Sequence, residues 1–317
     1  MHSITRRSFV AGAGALAGSA VPCCAASAAA LQPALELTAG QAARLAMTTA
    51  CFRHNFIPPT GEPAASGPKL DMLTTPKFLK DTFGITNMEV WSPMVPDRSL
   101  DYARTMRAAA EAVGGRIINV QIDGSYDLSA ADAKRRADSV QFVKDWMDRA
   151  RAANSPSVRI NIGGGPRGTP LALEPALESF HTLIDYGRSI DVMVLTENHG
   201  GVGGNIDNCV AFLKALNDRT PRAIIDWGSS SATTPEARLA DLSKMFPYLA
   251  MVSAKGMHFD SDYRHIDYPI GPLVRATEAT GFRGIYSIEL YAEPDHPQDP
   301  VAAARTMIAG IVPELRS

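Results

Sequence analysis

The chain has few cysteines and no long run of charges of one sign. Four of its 317 residues are cysteines, and Cys23 and Cys24 lie in an amino-terminal segment that we expect to be removed. The spacing of Cys51 and Cys209 indicates neither a disulfide framework nor a thiolate metal site, so we expect buried thiols. The formal net charge of −2 gives no electrostatic reason for a nucleic-acid partner.

A membrane-spanning apolar run is also missing, because the apolar segment at the amino terminus is short and rich in Ala and Gly. It follows Thr5-Arg6-Arg7-Ser8-Phe9-Val10 and leads to small residues at 25–30 with A-x-A-like cleavage sites. We therefore predict that residues 1–30 are a cleaved export signal of the twin-arginine type. The mature protein, 31–317, would be periplasmic or secreted, with no membrane partner.

The most informative stretch is Val192-Met193-Val194-Leu195-Thr196-Glu197-Asn198-His199-Gly200-Gly201. Its apolar run predicts a strand buried on both faces, as in parallel sheets. In α/β proteins, ligands bind at the carboxyl ends of such strands. Glu197 and His199 are therefore candidates for chemistry; the alternative is a Glu that hydrogen-bonds a turn beside a solvated His.

Eight strand-then-helix units can be traced along the chain. The predicted strands cover about 44–50, 88–91, 116–123, 158–162, 192–195, 222–227, 249–255 and 284–290. Helical patterns follow at about 76–83, 99–113, 129–152, 173–188, from 206, 235–245, 271–280 and 300–311. This alternation favours one (β/α)8 TIM barrel over 31–317, with a doubly wound sheet as the alternative. A Pro/Gly-rich segment at 58–68 is long enough to be a lid or rim loop.

Three carboxylates end predicted strands: Glu197, Asp226 and Glu289 follow apolar runs in strands five, six and eight. A barrel would bring them to one mouth, where they would repel one another unless a cation lay among them. Oxygen ligands with an imidazole suit Mn²⁺, Mg²⁺, Co²⁺ or Zn²⁺. Taken singly, each carboxylate could instead cap the following helix.

Three motifs resemble the xylose isomerase-like barrel family of sugar isomerases and epimerases: Leu195-Thr196-Glu197-Asn198-His199-Gly200-Gly201, Ile225-Asp226-Trp227 and Tyr286-Ser287-Ile288-Glu289. The resemblance implies one divalent ion held by Glu197, Asp226, Glu289 and a strand-seven His. Strand seven departs from the pattern at one position: the family commonly has a His two residues before a Lys, and Ser253-Ala254-Lys255 keeps the Lys but has Ser in place of the His. His258 is the favoured substitute; Ser253 or water, His199, or a degraded site are the alternatives.

The resemblance also implies a mechanism. The ion would chelate vicinal sugar oxygens and stabilise an enediolate as a carbon-bound proton leaves. Glu197 and Glu289 would be the paired acid and base, as in the epimerases. Lys255 would stabilise the developing oxyanion or protonate a leaving hydroxyl, unless it is a solvated lysine.

Other strand-end residues are candidate substrate contacts. Trp91 could stack on a sugar, although a core aromatic is the alternative. Gln121, Asp123 and Asn161 could hydrogen-bond hydroxyls or cap turns. Arg53 and His54 could contact an anionic group or a sugar oxygen, with surface solvation as the alternative, and His199 is a further candidate contact. The glycines at 163–165 and 200–204 fit neither a Walker nor a Rossmann spacing, which favours tight turns with close backbone approach.

These features lead to three hypotheses. The first is an exported, metal-dependent sugar isomerase or epimerase, or a keto-sugar (glycoside) lyase that uses the same enolisation. A non-catalytic periplasmic sugar-binding barrel is the second, and Ser253 keeps it open. The third, a nuclease of the family's endonuclease branch, is disfavoured by the near-neutral charge and by only seven His. A homo-oligomer is expected only because members of this family commonly form one.

Overall fold

The computed structural model describes residues 36–56, 69–291 and 299–316. All of them belong to one compact unit. The predicted export signal, 1–30, and the predicted lid loop, 58–68, lie outside the described residues. Both remain predictions.

Eight parallel strands close into a barrel in which each strand pairs with its neighbours in chain order. They are β1 Leu45–Thr48, β2 Asn87–Trp91, β3 Arg116–Gln121, β4 Ser157–Ile160, β5 Met193–Glu197, β6 Ala223–Asp226, β7 Leu249–Gly256 and β8 Tyr286–Leu290. The predicted (β/α)8 barrel is confirmed, and the doubly wound alternative is wrong because β1 pairs with β8.

A short helix, α1 Ala39–Ala43, precedes β1, and an α-helix follows each strand. These are α2 Thr75–Phe83, α3 Leu100–Ala112, α4 Ala133–Ala152, α5 Leu173–Ile190, α6 Ile206–Leu216, α7 Pro235–Ser243, α8 Ile270–Ala279 and α9 Pro300–Ile311. Side-chain caps define several starts: Ser99 accepts the Tyr102 N–H at α3, and Asp132 accepts the Arg135 N–H at α4. None of the helices in the described ranges is long and apolar enough to cross a membrane.

Two apolar clusters pack the barrel. The larger joins strands to helices and contains the buried Cys51 and Cys209, which are free thiols as predicted. The smaller comes from strands alone and consists of Ala46, Ile118, Leu195, Ile224 and Met251. Side chains two residues apart share a strand face. The interior layer of Ala46, Leu195, Ile224 and Met251 is therefore followed, towards the carboxyl ends, by Thr48, Glu197, Asp226 and Ser253.

Candidate active site

Lys255 lies between two of the predicted carboxylates. Its Nζ is 3.2 Å from Asp226 Oδ2 and 2.7 Å from Glu289 Oε1. Burial alone would lower the pKa of Lys255, but Asp226, Glu289 and Glu197 outweigh it and raise that pKa. The lysine is therefore a fixed ammonium, and the alternative of a solvated lysine is wrong because only 5% of the residue is exposed.

A second cation, Arg159 on β4, joins two further carboxylates. One guanidinium nitrogen donates to Asp123 Oδ1 at 2.6 Å, and Nε lies 3.0 Å from Glu197 Oε2. The second contact is an ion pair without hydrogen-bond geometry, because neither Nε nor Oε2 has a hydrogen-bond partner. Burial would raise the pKa of Asp123, but Arg159 outweighs it and lowers that pKa.

Glu289 is held by three donors from two strands, β3 and β7. Besides Lys255, Gln121 Nε2 donates to Oε2 at 3.2 Å and Ser253 Oγ donates to the same oxygen at 3.3 Å. Thr48 Oγ1 donates to Gln121 Oε1 at 3.1 Å and thereby orients the amide. Burial opposes ionisation, but chiefly the Lys255 ammonium lowers the pKa of Glu289 to about 2. Glu289 is therefore a carboxylate at neutral pH.

Asp226 ends β6 and also shapes the turn after it. Its Oδ1 accepts the Gly228 N–H at 2.7 Å, and its Oδ2 accepts the Ser229 hydroxyl at 2.6 Å. Asn198 bonds the Asp226 backbone on both sides, donating to its carbonyl and accepting its N–H, each at 2.8 Å. The capping role that the sequence left open for a strand-end carboxylate is thus realised here, alongside the contact with Lys255.

Glu197 has the opposite environment from Glu289. Both of its oxygens are buried and without a hydrogen-bond partner. Burial raises the pKa of Glu197 well above its usual range; Arg159 opposes this, and the nearby Asp226 and Glu289 add to it. Burial, together with Lys255 and Arg159, lowers the pKa of His199, whose Nδ1 is also buried and unpartnered.

Trp91 and Asn161 meet at Asp123. The indole N–H donates to Asp123 Oδ2 at 2.6 Å, and Asn161 Nδ2 lies 3.3 Å from Oδ1. The hydrogen bond from the indole fixes the orientation of the partly exposed Trp91 ring. Asn161 Oδ1 is buried without a hydrogen-bond partner. The structure brings these predicted contacts together with Gln121 and His199.

His258 is not brought to this cluster. It lies after β7, its side chain is 49% exposed, and its Nδ1 is 2.8 Å from Asp267 Oδ1. The hypothesis that His258 replaces the missing strand-seven ligand therefore finds no support in the geometry. Arg53 and His54 lie in the 3-10 helix Thr49–Asn55 after β1, with Arg53 Nε 3.2 Å from His54 Nε2. Their substrate contacts remain predictions.

The glycines after β5 allow two loops to touch. Gly201 has a φ of 39°, and a Cβ there would stand 2.4 Å from the Gly163 carbonyl oxygen. The glycine runs were predicted to allow close backbone approach, and the structure shows such an approach between the 163–165 and 200–204 segments.

The sequence-based prediction missed two buried charged residues that lie within the barrel strands. Arg159 lies between Val158 and Ile160, and Glu89 lies between Met88 and Val90, all of them buried. A charged residue inside an apolar strand must be paired or functional, because it is otherwise almost never buried. That signal was present in the sequence at both positions.

The side chains at this end of the barrel are not arranged to coordinate the divalent ion that the resemblance implies. Lys255 Nζ lies between Asp226 and Glu289, and both oxygens of each carboxylate already accept from protein donors. The strand-seven position is Ser253, which itself donates to Glu289. Within 36–56, 69–291 and 299–316, no three His, Cys, Asp or Glu side chains form a group that could hold a metal.

Comparisons with known proteins identify the family of this chain. The model of a family described as xylose isomerase-like TIM barrel matches residues 78–310. A comparison with curated protein sequences gives no match.

Solved structures share the fold at low sequence identity. D-psicose 3-epimerase with D-tagatose from Clostridium cellulolyticum H10 is 11% identical with a TM-score of 0.63, over 84% of this chain and 96% of that one. A xylose isomerase-like TIM barrel protein from Mycobacterium smegmatis in complex with magnesium is 14% identical with a TM-score of 0.61, over 88% and 100%. The E. coli 3-keto-D-glucoside 4-epimerase is 13% identical with a TM-score of 0.56, over 78% and 96%.

Proposed function

Because the chain belongs to the xylose isomerase-like TIM barrel family, we propose that it is an enzyme that isomerises or epimerises a carbohydrate. The reaction moves a proton at a carbon next to a carbonyl group, through an enediolate. The fold alone does not carry this proposal, since barrels of this kind host many functions. The arrangement of Glu197, Glu289 and Lys255 carries it.

The key observation is that two carboxyl groups at one mouth have opposite environments. Glu289 is ionised and held by Lys255, Gln121 and Ser253. Glu197 is buried and neither of its oxygens has a hydrogen-bond partner, although Oε2 lies 3.0 Å from Arg159 Nε. Carboxyl groups whose environments separate their pKa values in this way serve as base and acid. We assign Glu289 as the base that takes the carbon-bound proton and Glu197 as the acid that returns one.

Lys255 supplies positive charge where negative charge would develop. Two of its three N–H donors contact Asp226 and Glu289, so one is available to a substrate oxygen. A fixed ammonium in a buried site stabilises an enediolate oxygen strongly, because little solvent screens it.

The remaining unpartnered atoms suit a ligand rich in hydroxyl groups. The oxygens of Glu197, Nδ1 of His199 and Oδ1 of Asn161 are all buried without partners. Buried polar atoms are normally satisfied, so their partners are expected from a bound molecule. The Trp91 ring offers a flat apolar surface for a sugar face.

Two features narrow the substrate class within this proposal. The predicted export signal favours free sugars or oxidised glycosides over sugar phosphates. Two structural neighbours are described as a psicose 3-epimerase and a 3-keto-D-glucoside 4-epimerase, which supports a ketose or keto-glycoside. With a leaving group next to the enediolate, the same proton removal would end in elimination, which is the lyase outcome.

Proton exchange tests the proposal directly. The purified protein is incubated with ketoses and 3-keto-glycosides in D₂O, and deuterium at the carbon next to the carbonyl is followed by NMR. Glu197→Gln and Glu289→Gln should each slow exchange by about 100-fold or more. Glu111→Gln, on the surface of α3, is the matched control and should exchange at the wild-type rate.

Two results would count against an enzyme. Exchange that survives Glu289→Gln would refute the paired-carboxylate mechanism. Calorimetric binding of a sugar with no exchange or turnover would instead support the sugar-binding barrel. The observation that favours this alternative is that both carboxylate oxygens of Asp226 already accept hydrogen bonds from the protein.

A further inference from the structure

We propose that the ammonium of Lys255 takes the place of the divalent ion, so that the wild-type protein binds no such ion at this centre. The inference deepens the proposed function and rests on it for the identity of the site. It concerns which cation the carboxylates hold, and four features of the described residues carry it.

The first feature is the position of the ammonium. β7 lies between β6 and β8, with Asp226 paired to Ser253 and Lys255 paired to Glu289 in the strand registers. The Lys255 side chain therefore starts between the strands that carry the two carboxylates. Its Nζ reaches both, at 3.2 Å and 2.7 Å.

The second feature is that the oxygens an ion would need are in use. Asp226 accepts from Gly228, Ser229 and Lys255. Glu289 accepts from Lys255, Gln121 and Ser253. Because Mg²⁺ and Ca²⁺ bind oxygens at about 2.0–2.6 Å, an ion here would have to displace the ammonium, which stands in the same space.

The third feature is the packing of the lysine stem. A Cβ at Gly228 would stand 2.9 Å from Lys255 Cδ and 3.0 Å from Met257 Sδ. The stem therefore lies against a backbone that has no side chain, and Lys255 is only 5% exposed. Buried packing of this kind holds the side chain in one place, unlike a lysine that snorkels to solvent.

The fourth feature is the charge balance. Lys255 pairs with Asp226 and Glu289, while Arg159 pairs with Asp123 and also lies 3.0 Å from Glu197, the group assigned as the acid. The two cations together carry the same charge as one divalent ion. Buried carboxylates need paired charge, and here the protein supplies it from β4 and β7.

Metal binding by wild type and Lys255→Met tests the proposal. Methionine keeps the length of the stem and removes the charge, leaving Asp226 and Glu289 unpaired. Metal content is measured after purification from cells grown with MnCl₂, and Mn²⁺ binding is then titrated by calorimetry. The matched control is Lys244→Met, because Lys244 also contacts two aspartates, Asp207 and Asp241, but at the surface.

We expect wild type and Lys244→Met to carry no stoichiometric ion and to melt at the same temperature in EDTA and in MnCl₂. Lys255→Met should bind about one Mn²⁺ per chain and gain roughly 5 °C in Tm at a hundredfold excess over Kd. If Lys255→Met does not fold alone, recovery of its circular dichroism spectrum in MnCl₂ supports the proposal, and no recovery counts against it.

Stoichiometric metal in the wild type, or a fall in its Tm on adding EDTA, would overturn the proposal. So would a folded Lys255→Met that binds no Mn²⁺. Because no turnover is measured, these outcomes are separate from the D₂O exchange that tests the proposed function.

Discussion

The buried Glu89 makes the stability of the barrel depend on pH in a direction that can be predicted. It lies on β2 inside the barrel, where Asn119 Nδ2 donates to one oxygen at 2.7 Å and Ser287 Oγ donates to the other at 2.5 Å. Burial raises the pKa of Glu89 to about 7, and these two hydrogen bonds only partly oppose it. Among its described contacts, no cation makes a salt bridge with this carboxyl group.

The direction of this pH dependence follows from whether the folded or the unfolded state holds the proton on Glu89. Between the ordinary pKa of 4.5 and the folded value of about 7, the folded state keeps a proton that the unfolded state has lost. The free energy of unfolding therefore falls as pH rises through this window, by about 3 kcal/mol in all. Glu89→Gln cannot ionise, and its amide can keep both hydrogen bonds because the Ser287 hydroxyl can rotate.

Urea denaturation followed by circular dichroism checks this prediction at pH 5 and pH 8. Glu89→Gln should match the wild type at pH 5 and exceed it at pH 8 by about 3 kcal/mol, or roughly 6 °C in Tm. Glu111→Gln controls for the loss of an exposed carboxylate and should show no such change. A stability difference between Glu89→Gln and wild type that stays constant from pH 5 to pH 8 would refute the reasoning.

Three further changes have definite outcomes. Arg159→Met leaves buried carboxylates without their cation and should cost about 3–5 kcal/mol in thermal or urea unfolding, whereas Arg188→Met, an exposed ion pair, should stay within about 0.5 kcal/mol. Gly228→Ala forces a methyl group against the Lys255 stem and should cost about 1–3 kcal/mol, measured as a lower Tm. Because the pKa of Glu289 is lowered, its ionisation stabilises the fold above pH 4.5, and this stabilisation is lost as pH falls towards 2. In urea titrations, Glu289→Gln should therefore lose less of its free energy of unfolding over this acidic range than the wild type does.

The eight strands could be predicted because each combines an apolar run with a clear stop. The observed bounds of β4 and β6, for example, fall within one or two residues of the predicted ones. Closure of the barrel could be predicted from the eight alternating strand–helix units, because consecutive parallel strands usually lie side by side and their helical connections have the same hand. The caps at Ser99 and Asp132 follow the general preference of Ser and Asp for the position before the first helical turn.

The partners of the site residues could not be predicted, because they depend on register between strands far apart in sequence. Gln121 and Glu289 are 168 residues apart, yet their side chains meet at 3.2 Å. The sequence indicated that both lie at strand ends, which is true. It gave no information about whether Glu289 would face a metal ion, a lysine or an amide.

His258 shows how a chemically suitable residue can be misplaced. It was favoured as a ligand because imidazole was expected near the end of strand seven. The loop after β7 instead turns it towards Asp267, which accepts the His258 backbone N–H at 2.8 Å and also contacts its ring. The side chain of a loop residue two positions beyond a strand has no fixed direction, whereas side chains within the strand alternate between its two faces.

Strand seven also shows why Ser253 should not be interpreted without Lys255. Alternate residues of a strand share a face, so these two side chains enter the barrel together. A serine considered alone removes a ligand and would indicate a degraded metal site. With a lysine two residues later that reaches Asp226 and Glu289, the same serine becomes a hydrogen-bond donor to a carboxylate already neutralised by an ammonium. Under our proposal, the departure from the family pattern is a change in which cation the carboxylates hold, and not the loss of a site.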